Sequence, residues 1–285
     1  MNLPLDAKNS SAPQRKPSEV REKLSRRGKI LLVSIGCISM AAIVAMLVYI
    51  MFFTLTKEDY RTATRQVNTV IDRYNTLTKQ VSLVSRHTID GNLDEATYTA
   101  SYTQLKQAAA SYTRSVQGLS ELAVLDNRDI HGLYDSFTQE NRRYMADIEH
   151  QQALMPVVRK VTSNCQLQKL SSVAVDLSHI VSAYTTAIRP CDEALQQLSK
   201  QDDAAAQQAA RECRAYLAAV RSRLEKMERA YTNADRGTFE SEYKAYLRQA
   251  GRYATAMDVT QVLQPSKHAP EQQLNQFSHG ISAKQ

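Results

Sequence analysis

The chain has 285 residues, a formal net charge of +7 and no tryptophan. Only eight glycines occur, and none lies in a phosphate-binding glycine motif, which argues against the common nucleotide-binding enzymes. The first 29 residues hold eight basic and three acidic side chains, which leaves 28 basic and 26 acidic residues for the rest. That near-balance lacks the clustered basic stripe of a nucleic-acid-binding surface, so we expect no nucleic-acid partner.

The N-terminal segment 1–29 is short, basic and rich in proline and serine. This composition predicts a disordered tail, because it offers too little apolar surface to bury. Seven basic residues in the fifteen before residue 30 outnumber the four in residues 56–75. Under the positive-inside rule, this difference predicts a cytoplasmic N-terminus and an extracytoplasmic C-terminal domain.

Residues 30–55 form an uncharged, strongly apolar run of 26 residues. A span of about 20 apolar residues crosses the hydrocarbon core of a bilayer. The run therefore predicts a single-pass signal-anchor helix in the cell membrane. We also expect this helix to continue without a break into the helix that follows it.

Three cleaved leaders are weaker interpretations of the same run. A secretory signal peptide has a shorter apolar region and a small-residue cleavage site. Ser34 to Cys37 resembles a lipoprotein cleavage box, but serine stands where leucine is usual and eighteen residues of the run follow the cysteine. Gly28 to Leu31 resembles a type IV prepilin leader, but Val33 stands where that family has glutamate.

Residues 56–156 show three stretches in which apolar residues alternate at spacings of three and four. This rhythm is typical of helices that pack along a coiled-coil-like seam. Turns at 90–92 and 126–129 separate the stretches, and Pro156 is expected to end the third. We predict an all-α, three-helix module here.

The same pattern returns about 109 residues later, in residues 166–264. Its matched positions include Tyr134 with Tyr243, Tyr144 with Tyr253, and Pro156 with Pro265. The pattern predicts a second three-helix module and an internal duplication; a single rearranged bundle is the alternative. In length and helix count the modules resemble spectrin-type repeats but lack their tryptophans. Residues 265–285 are expected to form a flexible C-terminal tail.

The four cysteines are Cys37 in the apolar run and three further along the chain, Cys165, Cys191 and Cys213. Cys191 and Cys213 are equidistant from the turn at residue 202 and fall on seam positions. In an antiparallel hairpin such residues lie side by side, so we predict a Cys191–Cys213 disulfide. Two buried thiols are the alternative. Cys165 would then be free or bridged to another chain.

Catalytic and metal-binding groupings are missing from the sequence. The six histidines are scattered, and no Cys-x-x-Cys, His-x-x-x-His or Gly-x-Ser-x-Gly motif occurs. We therefore expect no cofactor, no metal site and no enzymatic activity. Most of the fourteen tyrosines fall on seam positions. Tyr60 and Tyr216 do not, and are interpreted as exposed contacts for a partner.

A non-enzymatic interaction or scaffold protein of the cell envelope is the function that best fits a membrane anchor carrying helical modules. An unidentified protein partner is expected, and assembly into a homo-oligomer is compatible with the sequence. A ligand-binding or sensory ectodomain is the alternative, and it would have to act through a membrane partner, because only 29 residues precede the span. A pull-down that recovers no partner would count against the scaffold function. A ligand that raises the thermal stability of the protein would favour the sensory ectodomain.

Overall fold

The structure is a computed structural model that describes residues 42–46, 55–166 and 176–285. In these ranges the chain forms helices, turns and loops without a strand, which confirms the prediction of an all-α protein. None of the helices in these ranges is long and apolar enough to cross a membrane. The predicted span 30–55 lies outside them, except for the helical residues 42–46 and for Leu55.

Residues from Leu55 to Gln285 form one compact unit. Its α-helices, numbered here in chain order, are α1 (Lys57–Ile89), α2 (Glu95–Gly118), α3 (Arg128–Asn164), α4 (Ile180–Ser199), α5 (Ala204–Thr232), α6 (Arg236–Ala250), α7 (Tyr253–Ala256) and α8 (Glu271–Ser282).

Helix α1 begins at Lys57, after two residues that are not helical. Thr56 is extended and accepts a hydrogen bond from the backbone N–H of Asp59, whose carboxylate accepts one from the N–H of Thr56. This capping box supplies partners for the free N–H groups of the first turn and starts a new helix. The expected continuous helix from the anchor into α1 is therefore wrong.

The first hydrophobic core lies among α1, α2, the N-terminal two-thirds of α3, and α8. The predicted seam of α1 is confirmed, since Val67, Val70 and Leu77 are buried there. The fourth member is unexpected: α8 contacts both α1 and α3. The predicted flexible tail 265–285 is therefore wrong in its helical part, and the first module is a four-helix bundle.

The apolar positions of α8 explain this docking. Leu274, Phe277 and Ile281 recur at spacings of three and four, and each is at most 1% exposed. The ring of Phe277 lies 6.5 Å from that of Phe137 and 5.8 Å from that of Tyr134. Burying three large side chains of this kind stabilises the fold by several kcal/mol, at about 2 kcal/mol each.

Helix α3 does not end before Pro156 but continues through it to Asn164. A proline inside a helix has no N–H for the carbonyl four residues earlier, which here is Gln152. The hydroxyl of Tyr102 on α2 donates to that carbonyl at 2.7 Å. Because a side chain from a neighbouring helix satisfies the carbonyl, α3 continues past Pro156 and contributes residues to both hydrophobic cores.

The C-terminal end of α3 is locked to the α1–α2 turn by Arg159, which is 3% exposed. Its guanidinium donates to the backbone carbonyls of His87, Asp90 and Leu93. It also lies over the ring of Tyr98, 5.4 Å from its centroid. One buried cation thus donates hydrogen bonds to three backbone carbonyls of the turn between α1 and α2.

A second core joins the C-terminal third of α3 to α4, the first half of α5, and the segment 253–262. Cys165, which caps α3, is disulfide-bonded to Cys191 in α4, with 4.8 Å between their Cα atoms. The predicted Cys191–Cys213 disulfide is therefore wrong. Cys213 is a buried free thiol whose Sγ lies 3.4 Å from the carbonyl oxygen of Ala256.

The seam positions predicted for Cys191 and Cys213 are nevertheless correct, because both residues are buried in this core. The pairing differs because α3 continues past Pro156 and brings Cys165 next to Cys191 in this core. Burial raises the pKa of the Cys213 thiol to about 11, so it stays protonated. Closing the loop between Cys165 and Cys191 contributes about 3 kcal/mol.

Peptide mapping without reductant tests this pairing. Trypsin releases Cys165 in peptide 161–169, Cys191 in peptide 170–200 and Cys213 in peptide 212–214. We expect peptide 161–169 to be linked to peptide 170–200, and peptide 212–214 to carry an alkylated thiol. A link between peptides 170–200 and 212–214 would instead support the hairpin pairing.

The two predicted modules differ most in their third helices, which are α3 and α6. Tyr144 and Tyr253 are both buried, but α3 runs for 37 residues whereas α6 ends after 15. Pro156 lies inside a helix, and its counterpart Pro265 lies outside one. The duplication stays a prediction about the sequence; in the structure, only the α1–α2 and α4–α5 hairpins are alike.

Candidate functional site

Both ends of the compact unit lie at the same end of the four-helix bundle. The side chain of Gln285 donates to the Tyr60 carbonyl at 3.3 Å and to the Thr64 hydroxyl at 2.6 Å. Lys284 approaches Asp129, at the start of α3, within 3.5 Å. We call this end the base. The chain enters the unit there, at Leu55.

The opposite end, the tip, consists of α4, α5 and α6 beyond the end of α3. The hydroxyl of Tyr253 donates to the carbonyl of Cys165 at 2.6 Å, which marks the level where α3 stops. The last dozen residues of α5 continue past that level, about 18 Å further at 1.5 Å per residue. Val220, Leu224 and Met227 form the small core of the tip.

The turn between α5 and α6 is fixed by backbone hydrogen bonds. The N–H of Asp235 donates to the Ala230 carbonyl at 2.8 Å, and Ala234 has a φ of 54°. Glycine is the usual residue for this left-handed position at the end of a helix. Asp235 then caps α6 by accepting from the Thr238 N–H at 3.0 Å. The hydrogen bonds from Thr238 lower the pKa of this carboxyl.

Tyrosine hydroxyls hold α4 and α6 against α5. Tyr184 of α4 donates to the Leu217 carbonyl at 3.2 Å, and Tyr216 of α5 donates to the Gln249 carbonyl at 2.8 Å. Burial raises the pKa of both phenols, so they remain neutral donors at physiological pH. The three helices of the tip are thereby held in register although their core is small.

Helix α6 has no fully buried residue; its Phe239 and Tyr246 pack against the small core of the tip, whereas Tyr243 and Leu247 are exposed. Tyr243 and Leu247 are 45% and 50% exposed, and Tyr231 at the end of α5 is 50% exposed. The ring of Phe239 lies 6.3 Å from the rings of Tyr231 and Tyr243. We call these four residues, Tyr231, Phe239, Tyr243 and Leu247, the tip patch.

Basic side chains border the tip patch along α6. Arg236 pairs with Glu240 at 2.8 Å, whereas Lys244 and Arg248 have no ion pair in the described part of the chain. Exposed aromatic and aliphatic residues rimmed by charge are typical of protein contact surfaces. The geometry of the tip therefore suits docking of a macromolecule.

The tyrosines expected to contact a partner are not the exposed ones. Tyr60 is 8% exposed and packs in the first core, and Tyr216 is half-buried and hydrogen-bonded. The spacing of Tyr231 and Tyr243 predicts seam positions, but both are exposed. Their exposure arises because no other helix in the described part of the chain covers this side of α6.

The described residues contain no group of three or more His, Cys, Asp or Glu side chains that could hold a metal ion. Histidine–carboxylate pairs do occur, at His150–Asp203 and His268–Glu140, each at 2.9 Å. They link α3 to the start of α5 and to the segment before α8, and so join elements of the fold. No family model, curated protein or solved structure matches the chain.

Proposed function

We propose that the protein is a membrane-anchored, extracytoplasmic helical interaction or scaffold protein of the cell envelope, and that the tip patch is its protein contact. The observation that carries the proposal is the exposure of Tyr231, Tyr243 and Leu247 together at one end of the bundle. Large aromatic side chains of this kind dominate the binding energy of protein interfaces.

The position of the tip patch supports this role. The chain enters the bundle at the base, at Leu55, and the patch lies at the other end, past the end of α3. Arg159 and the disulfide between Cys165 and Cys191 stiffen the connection between the two ends. A rigid support lowers the entropy cost of binding, because the contact surface is already ordered.

The extracytoplasmic location in this proposal rests on two independent features. The excess of basic residues before the apolar run 30–55 favours a cytoplasmic tail. The disulfide between Cys165 and Cys191 suits an oxidising compartment, because structural disulfides are rare in the cytosol. Both features favour the same side for the helical domain.

Site-specific photocrosslinking in intact cells tests the contact. A benzoylphenylalanine at position 243 replaces an exposed tyrosine with a similar ring, so the fold should tolerate it. On irradiation we expect a discrete higher-mass species that fractionates with the membrane and contains a second protein. The same photoreactive residue at exposed Ser241, on another side of α6, is the matched control.

The expected result is a crosslink at position 243 and at least a several-fold weaker one at position 241. Equal crosslinking at both positions, or none at 243 while the protein is folded and membrane-bound, would contradict a protein contact at the tip patch. A crosslinked product of twice the chain mass would identify the partner as a second copy.

A further inference from the structure

A second surface lies on the solvent side of α5, between two grooves. The groove between α4 and α5 has a volume of about 520 Å³, and the groove between α5 and α6 about 440 Å³. Three arginines line each of them. Those of the first are Arg189, Arg214 and Arg221, and those of the second are Arg223, Arg248 and Arg252.

Half of these six guanidinium groups are unpaired in the described part of the chain. Arg189, Arg248 and Arg252 have no ion pair there. The other three pair with single carboxylates: Arg214 with Asp192, Arg221 with Glu225, and Arg223 with Glu242. Among the described residues that line the two grooves, Asp192 is the one carboxylate. Six guanidinium groups stand against three partner carboxylates, so the two grooves together carry a net positive charge.

The strip of α5 between the grooves is low, because its exposed residues are small. Ala215, Ala218, Ala219 and Ser222 are all exposed, and the three alanines line the grooves. Small residues on a helix surface let a second helix approach closely, as in ridge-and-groove packing. The partly apolar floor of the first groove, with Ile188 and Leu217, adds contact area.

We propose that this surface, the arginine face, binds an acidic α-helix of a partner protein. A helix is about 10 Å wide, and one laid along α5 would bring carboxylates on its two edges to the two rows of arginines. Arginine pairs with carboxylates through two parallel hydrogen bonds, which fixes the orientation of the partner as well as adding affinity.

An acidic helix fits the arginine face better than a polyanionic polymer does. A phosphate polymer would engage the guanidinium groups but would leave the alanine strip and the apolar floor of the first groove without contacts. An acidic helix can pack small apolar side chains against the alanine strip and place carboxylates beside the arginines on both edges. The arginine face shares no residue with the tip patch, although Arg248 borders both surfaces. Binding of an acidic helix to the arginine face does not require the contact proposed for the tip patch.

A binding titration with the purified full-length chain in detergent micelles tests this inference. The probe is a fluorescent, alanine-based helical peptide with glutamates along both edges of one face. We expect it to bind, and expect the triple variant R189Q/R248Q/R252Q to bind it at least about ten-fold more weakly. These substitutions break none of the ion pairs within the described part of the chain, so the fold should be retained.

The control variant R73Q/R86Q/R142Q removes the same charge from exposed arginines of α1 and α3, and should bind the peptide within about two-fold of the unchanged chain. A matching peptide with glutamine in place of glutamate should bind weakly to all three proteins. Equal losses in both triple variants would reduce the effect to net charge and overturn the proposal. Binding of inorganic polyphosphate, but not of the acidic peptide, would replace it with a polyanion surface.

Discussion

Replacing Arg159 with alanine should lower the free energy of unfolding by about 3 kcal/mol, because its hydrogen bonds are charge-assisted and buried. The guanidinium is the donor for the carbonyls of Asp90 and Leu93, which its removal would leave without that partner. Gly91 is held against α3 in the same turn, where an added Cβ would lie 2.5 Å from the Thr162 carbonyl oxygen. The turn therefore has little room to rearrange around the loss.

Thermal and urea unfolding of the full-length chain in detergent would measure this effect. A loss of about 3 kcal/mol should lower the melting temperature by roughly 6–12 °C for a domain of this size. Arg159→Lys should recover only part of the loss, since one ammonium group cannot reach three carbonyls in the same way. Arg143→Ala, an exposed change on the same helix, should cost about 0–1 kcal/mol. Equal losses for Arg143 and Arg159 would refute the role assigned to the buried arginine.

Replacing Phe277 with alanine should cost about 3–5 kcal/mol, as for other fully buried phenylalanines. Its ring is 0% exposed and stacks on that of Phe137, with only 3° between the two planes. The cavity would open between α8 and α3, where Phe137 and Tyr134 would each lose a ring contact. We expect α8 to detach before the rest of the bundle unfolds.

Hydrogen exchange would locate this change, because the amides of α8 should lose protection first. Gln276→Ala, at the exposed neighbouring position, is the control and should change stability by less than about 0.5 kcal/mol. If residues 265–285 were a flexible tail, both substitutions would be neutral. That outcome would return the first module to three helices.

The helical class and the seams of α1 and α2 could be predicted from sequence, because an apolar spacing of three and four residues matches the period of a helix and not that of a strand. Positions such as Val67, Leu77 and Leu105 are buried as that spacing requires. The extent of α3 could not be predicted in this way. Its continuation depends on the hydroxyl of Tyr102, fifty residues away, which satisfies the Gln152 carbonyl.

The disulfide shows the same limit. Equal distance from the hairpin turn predicts Cys191 and Cys213 in one core, as they are, but pairing also depends on any third cysteine that reaches the same level. Cys165 reaches it only because α3 passes through Pro156. The tip patch could not be predicted for a related reason, since a seam spacing on α6 leads to burial only where a covering helix exists.

The return of α8 to the base has a consequence for biosynthesis. The Gln285 side chain contacts the Tyr60 backbone across 225 residues of sequence, so α8 completes the first core only after α1 to α7 have been translated. Until they emerge, the apolar faces of α1 and α3 have no fourth helix to cover them. Contacts between such distant parts of a chain form slowly, because their closure entropy must be overcome first. Nascent chains from which α8 has not yet emerged would therefore offer the surface around Phe137 to chaperones.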